Sequence, residues 1–223
     1  MEAVLNIRKP IGWTSFDVIR WLKRKLPGVK IGHAGTLDPF AEGVLLLCLG
    51  RATRQVQKLM DYEKEYVAVI GLGILTDTLD VTGRIIEEKP VPRLDNDMIA
   101  RACKEFEGEI EQIPPSFSAL KINGRRAYKL ARSGQNVDLK ARTVRIQSID
   151  PEEFVEANIR LRVVCSKGTY IRSLARDIAE ALGTVGFLRK LVRTKIGPYT
   201  VDQALSIDRL NNDFWQRFAQ DNN

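Results

Sequence analysis

Histidine is nearly missing from this chain: among 223 residues there is one, His33. That excludes HExxH metalloproteases, His-rich metal centres and any proton relay built on two imidazoles. Cysteine is as scarce. Cys48, Cys103 and Cys165 lie far apart and fall into no metal-ligand spacing, so neither a disulfide framework nor a Cys-rich zinc site is expected. No apolar run reaches 18 residues, and the opening residues have no signal-peptide layout. The expectation is a cytoplasmic protein with no membrane association. A Walker A sequence is missing too, and Gly71-Leu-Gly73 lacks the third glycine and following helix of a dinucleotide loop. The acidic residues form no cluster suggesting a two-metal nuclease or polymerase centre.

What is there is an ordinary globular composition, 44% hydrophobic and 28% charged, with length enough for one large domain or two small ones. The net charge of +7 is unevenly spread. Residues 1–60 hold ten basic and four acidic side chains, whereas residues 61–100 hold four and nine. Residues 101–150 and 151–200 are each basic by four. Three basic blocks from separate stretches can fold into one positive surface, as a polyanion binder needs, or can lie scattered in solvent.

The pattern along the chain predicts an α+β fold with a mainly antiparallel sheet, because crossovers of regular βαβ length are missing. Strands are expected at residues 4–8, 44–49, 65–72, 144–149 and 159–165, with 84–88 a candidate partner of 65–72. Helices are expected from Thr14 or Ser15 to Leu26, over 52–60, from Asp95 or Asn96 to Phe106, over 125–132, from a Thr169 cap to Leu182, and over 185–190. Residues 31–39 read as a shaped loop, and 73–83 as a surface connection. Arg172 and Arg176 should share a helix face away from the apolar stripe.

Asp38 stands out chemically. Next to Pro39, in a loop bent by Gly32 and Gly35, a carboxylate can be held with the small freedom that a nucleophile or general base needs. For an Asp-Pro taken alone, an Asx-turn or helix cap is the commoner explanation. Arg172 sits where a helix begins, opposing the helix dipole, and so calls for a buried carboxylate, a phosphate or simple surface exposure. Tyr66 can stack on a base or fill the core. His33 can bond its own loop, stack on a nucleotide or carry a proton.

Taken in order, several segments resemble bacterial tRNA pseudouridine-55 synthases, the TruB family. They are Asn6-Ile-Arg-Lys-Pro10 with Gly12, Thr14 and Ser15; Gly32-His-Ala-Gly-Thr-Leu-Asp-Pro39; Lys64-Glu-Tyr66; and Gly71 with Thr76-Asp77 and Asp80 to Gly83. Gln112-Ile-Pro-Pro115 with Ser118, Lys121, Gly124 and Tyr128 follows, then Ser166-Lys-Gly-Thr-Tyr-Ile-Arg-Ser-Leu174 and Leu191 with Arg193, Thr194 and Gly197. The series covers about residues 4–205. The resemblance implies the pseudouridine synthase fold, a mixed sheet flanked by helices with a central active-site cleft. It implies isomerisation of uridine to pseudouridine in the T loop of tRNA, with no cofactor and no metal.

By this resemblance Asp38 is the catalytic aspartate, Tyr66 packs against the target base, and Arg172 forms an ion pair with Asp38. Leu191 lines the pocket, His33 helps displace the target nucleotide, and Lys9 matches a family lysine near the site, structural or RNA-contacting. Lys64, Tyr170 and Lys121 inside the matching segments, and Arg176 one turn beyond Arg172, are further candidate substrate contacts. The expected organisation is a catalytic domain over residues 1–210, with 110–145 a basic RNA-contacting excursion. A polar tail over 211–223 stands where most members carry a PUA-type domain. Phe187 replaces a common histidine and Val192 a common arginine. A monomer acting on tRNA without a guide RNA is expected. A non-catalytic tRNA-binding or folding protein, or a synthase acting on another RNA, are the alternatives.

Overall fold

The computed structural model describes residues 2–118, 120–122, 125–126, 130, 139–210, 214–215 and 218. The fold is α+β, and the chain forms two compact units, Met1–Tyr66 with Leu191–Asn223, and Val67–Lys190.

In the first unit β1 (Glu2–Lys9) lies antiparallel to β3 (Glu42–Gly50), from Glu2 opposite Gly50 to Lys9 opposite Gly43. The short β2 (Ile31–His33) lies antiparallel on β3, with His33 opposite Leu47. The end of β12 (Gly186–Ile196) runs parallel to β3, Arg193 facing Gly43. β13 (Tyr199–Thr200) folds back on β12, and β14 (Leu205–Ser206) runs parallel to β1. The unbroken apolar run of β3 is explained by burial on both faces. Leu45, Leu47 and Leu49 meet α1 (Ser15–Lys25) through Val18, Ile19 and Leu22. Val44, Leu46 and Cys48 join Ala52 and Leu59, the latter on α2 (Val56–Asp61). Thr14 caps α1, its hydroxyl accepting the Asp17 N–H at 3.0 Å while the Asp17 carboxylate accepts the Thr14 N–H at 2.9 Å.

Both β4 (Lys64–Leu72) and β12 pass from one unit into the other. In the second unit β7 (Gly108–Gln112), β10 (Arg142–Val155) and β11 (Asn158–Cys165) form an antiparallel ribbon. Helix α3 (Asn96–Lys104), capped by Asp95, packs on β10 and on α4 (Ile171–Ala181). Two small hairpins complete the described part: β5 (Ile74–Thr76) with β6 (Ile85–Glu88), and β8 (Lys121–Ile122) with β9 (Arg125–Arg126).

Several expectations need correction. Residues 31–33 are a strand, because β3 offers a free edge there that their peptide groups can fill. Residues 186–196 are one strand and no helix. Its buried positions 186, 188, 191, 193 and 196 step by two and by three, and the three-residue steps imitate a helical stripe. Residues 84–88 pair with β5 and not with β4. The 73–83 connection does not skim the surface: Thr76, Leu79 and Asp80 are buried in it. Residue Tyr170, not Thr169, is the N-cap of α4, and the Thr169 hydroxyl instead donates to the Ser166 carbonyl. No helix starts at Arg125, which is in β9; most of 127–138 lies outside the described residues. Arg172, one turn before Arg176, is not a surface arginine but buried.

Candidate active site

The loop carrying Asp38 is held from three sides by buried polar groups of its own unit. From β12, the Arg193 guanidinium donates to the carbonyls of Val44 at 2.7 Å, Gly35 at 3.1 Å and Thr36 at 3.3 Å. From the start of α1, Ser15 Oγ accepts the Leu37 N–H at 2.9 Å. From the end of β1, the Lys9 ammonium donates to the carbonyls of Trp13 at 2.5 Å, Pro10 at 2.9 Å and Pro39 at 3.4 Å, and the Gly12 N–H reaches Pro39 O at 2.8 Å. Backbone groups of residues 35, 36, 37 and 39 are thus pinned around Asp38, whose own carbonyl accepts the Ala41 N–H.

Lys9 and Arg193 are among the most buried side chains of the protein, at 0% and 1% exposure. A cation removed from water is tolerated only where its donors are met, and here main-chain carbonyls meet them. Burial pushes the Lys9 pKa down to about 8; the Asp38 charge opposes that shift and Arg193 adds to it. Lys9, Arg193 and Asp38 therefore share an electrostatic neighbourhood, with Glu42 and Asp17 also acting on Lys9. Asp38 itself is half-buried, between neighbours whose backbone groups are held in place. Delivery of Arg193 depends on Gly43. At φ +112°, a Cβ there would fall 2.2 Å from the Arg193 carbonyl oxygen.

The first unit carries four more of the candidates. His33, half-buried on β2, has its pKa lowered by burial and by Arg193, against a hydrogen bond that it donates to the Gly35 backbone. Tyr66 and Leu191 are buried on β4 and β12. The buried Lys64 ammonium caps the end of α2 by donating to the carbonyls of Met60 and Tyr62.

In the second unit Arg172 is buried near the start of α4. It donates to the carbonyls of Thr78 at 2.9 Å and Phe117 at 3.0 Å, and lies 3.3 Å from the Asp80 carboxylate. Asp80 also accepts from the Thr82 N–H at 2.9 Å, the Thr82 hydroxyl at 2.5 Å and the Thr78 hydroxyl at 2.8 Å. These contacts answer why an arginine tolerates a helix N-terminus. Gln112 fixes the same end, accepting the Tyr170 N–H at 2.8 Å and donating to the Tyr170 carbonyl at 3.1 Å. Arg176 is bonded to Asp177, whose pKa burial raises against the pull of that arginine. Lys121 lies on β8, and its side chain is outside the described part. Asp38 and Tyr66 thus belong to one unit and Arg172 to the other.

Residues 22–171 match the family described as TruB family pseudouridylate synthase, N-terminal domain. The chain belongs to this family. Residues 172–222 match the tRNA pseudouridylate synthase B C-terminal domain. Similar TruB proteins include tRNA pseudouridine synthase B of Phocaeicola vulgatus, 44% identical over 92% of this chain and 90% of that protein. Its namesake from Thermobifida fusca is 42% identical over 96% of this chain and 75% of that protein. Among solved structures, a Cbf5-Nop10-Gar1 complex has a chain 34% identical with a TM-score of 0.74. An H/ACA RNP bound to a substrate RNA containing 2′-deoxyuridine has one at 32% and 0.71. Each match covers 99% of this TruB chain but only 56% and 55% of the other.

Sequence reasoning attached no role to Asp80, Arg193, Ser15 or Gln112. Arg193 carried a usable signal, a charged residue at the inward step of an apolar strand. Asp80 sat in a Thr/Asp-rich stretch that looks like any solvated turn. Among the described residues no helix is long and apolar enough to cross a membrane.

Proposed function

We propose that this chain isomerises uridine 55 in the T loop of tRNA to pseudouridine, with Asp38 as the acting carboxylate. The observation that carries the reading is the Asp38 loop itself, pinned by two buried cations and a serine on either side of a half-buried Asp38. Such fixity is what positions a reacting group, and a pure binder has no need of it.

In the reaction the bond from N1 of uracil to C1′ breaks, the base turns, and C5 bonds to C1′. The proton leaves C5 and N1 gains one, so atoms and electrons balance without an oxidant or reductant. Asp38 attacks C1′ or C6, or takes the 2′ proton to give a glycal; all three routes need the ionised carboxylate. In this reading Arg172 pairs with Asp38 and keeps it charged, while Asp80 and the Thr78 and Phe117 carbonyls hold that guanidinium in aim. Tyr66 packs on the uracil and Leu191 lines the pocket. His33, with its lowered pKa, helps turn the nucleotide out of the loop. Extruding a base costs a few kcal/mol, which contacts to the flipped base must offset. The partner is tRNA in the cytoplasm, met by a monomer without a guide RNA.

The test is chemical mapping of pseudouridine in a bare T stem-loop transcript. The wild type should modify one position, 55, and Asp38→Asn should modify none while binding the RNA nearly as well. Silence of the wild type, or undiminished product from Asp38→Asn, would refute the reading. Product at another position would move the enzyme to another RNA.

A further inference from the structure

The face of α1 turned away from the core has a composition that folding does not require. Ser15, Val18, Ile19 and Leu22 are its buried side. Opposite them Phe16, Arg20, Lys23 and Arg24 are exposed, at spacings of four, seven and eight that place them along one line of the helix. Phe16 keeps 58% of its surface in solvent, and Ile11 in the preceding turn keeps 64%. The Arg20 guanidinium stands 5.3 Å from the centroid of the Phe16 ring and is itself held by Asp17 at 3.0 Å. An aromatic ring is therefore kept outward by a cation laid over it, which is a contact of the cation–π kind. The helix dipole accounts for Lys23 and Arg24 in the last turn, but not for an outward phenyl in the first.

Location gives the face its meaning. Ser15, the residue before Phe16, binds the backbone of Leu37, the residue before Asp38. Gly12, beside Ile11, binds Pro39, the residue after Asp38. From that junction the 11 residues of α1 run for about 16 Å, with the cations further along. We propose that this face is an RNA-docking surface: Phe16, flanked by Ile11, stacks on a base neighbouring the target uridine, and Arg20, Lys23 and Arg24 follow the phosphates leading away from it. An aromatic platform followed by a line of cations is how unpaired RNA is held. The charge of residues 1–60, ten basic against four acidic, favours a polyanion over a second protein.

This inference rests on the proposed activity, and the experiment separates the two. With a T stem-loop transcript, Phe16→Ala should raise KM about 5- to 100-fold, the loss falling on KM more than on kcat. Phe16→Trp should recover most of it and Phe16→Leu should not. The triple variant Arg20→Gln, Lys23→Gln, Arg24→Gln should lower the slope of log affinity against log salt by about 2. A wild type that makes no pseudouridine overturns the activity. An active wild type whose variants keep its KM and salt slope overturns the docking face, as does Phe16→Leu matching Phe16→Trp. Variants that alter self-association and leave RNA affinity unmoved would assign the face to a second copy and refute the proposal.

Discussion

The carboxylate of Asp80 and the guanidinium of Arg172 meet at 3.3 Å with each side chain 6% exposed. Ninety-two residues separate them in sequence, and a turn of two threonines presents the acid to the helix end. Removing one partner of such a pair leaves the other charged and buried, which costs about 3–5 kcal/mol. Asp80→Ala should lower unfolding free energy by that amount in urea titrations. It should also cut kcat/KM about 100-fold or more, since the freed guanidinium loses its aim. Asp80→Asn, which keeps the hydrogen bonds to Thr82, should lose less stability than Asp80→Ala. Equal loss from both would mean that the charge alone, and not the hydrogen bonds to Thr82, carries the effect.

Arg193 holds the loop that carries Asp38. Its donors meet three carbonyls, so Arg193→Met, similar in bulk, strands those oxygens in a dry place. Each buried unmet acceptor costs about 1–3 kcal/mol. A fall in melting temperature is expected, and kcat should drop further than KM rises, because the loop preceding Asp38 loses its anchors at Gly35 and Thr36. Arg193→Lys, with one donor group for three sites, should recover the charge but little of the rate.

Much of this was legible before any coordinates. The α1 cap, the buried run of β3, the α3 cap at Asp95 and the bent loop around Asp38 follow from local chemistry, where a cap, an apolar run or a glycine acts over a few residues. The misreadings share a cause. The strand over 186–196 has buried positions that step like a helix, and its pairing with other strands, Glu42 and Gly43 of β3 among them, reveals it. Burial of Arg172 and Arg193 depends on carbonyls supplied from elsewhere in the chain. Phe117 O for Arg172 and Val44 O for Arg193 are 55 and 149 residues away, and no local pattern encodes such a partner.

Lys9 gives the protein a pH signature. Its pKa of about 8 in the fold lies below the 10.5 of an exposed lysine, because burial outweighs the attraction of Asp38, Glu42 and Asp17, and Arg193 repels it. Below pH 8 both states hold the proton and the fold bears the whole burial penalty. Between pH 8 and 10.5 the unfolded chain binds more protons than the fold, so this group's contribution to stability rises with pH. The span is about 3 kcal/mol. Denaturation at pH 7 to 10 should show Lys9→Met lacking that rise relative to the wild type. Parallel profiles for the two proteins would place the shift elsewhere.

Gly43 separates backbone strain from close packing. Gly43 and Gly12 both adopt positive φ, +112° and +85°, which any L side chain resists. A Cβ on Gly12 meets nothing within 4 Å, while one on Gly43 would enter the Arg193 backbone at 2.2 Å from the oxygen and 2.8 Å from the nitrogen. Gly12→Ala should therefore cost only the conformational strain, about 1–2 kcal/mol. Gly43→Ala must push β12 off β3, and with it the guanidinium that anchors Gly35 and Thr36. Its destabilisation should exceed that of Gly12→Ala by several kcal/mol. Whatever fraction still folds should be nearly inactive, because the displaced strand carries both Arg193 and Leu191. Equal melting temperatures for the two variants would mean that β12 yields without effort, and the loop around Asp38 would then need another anchor than the one described.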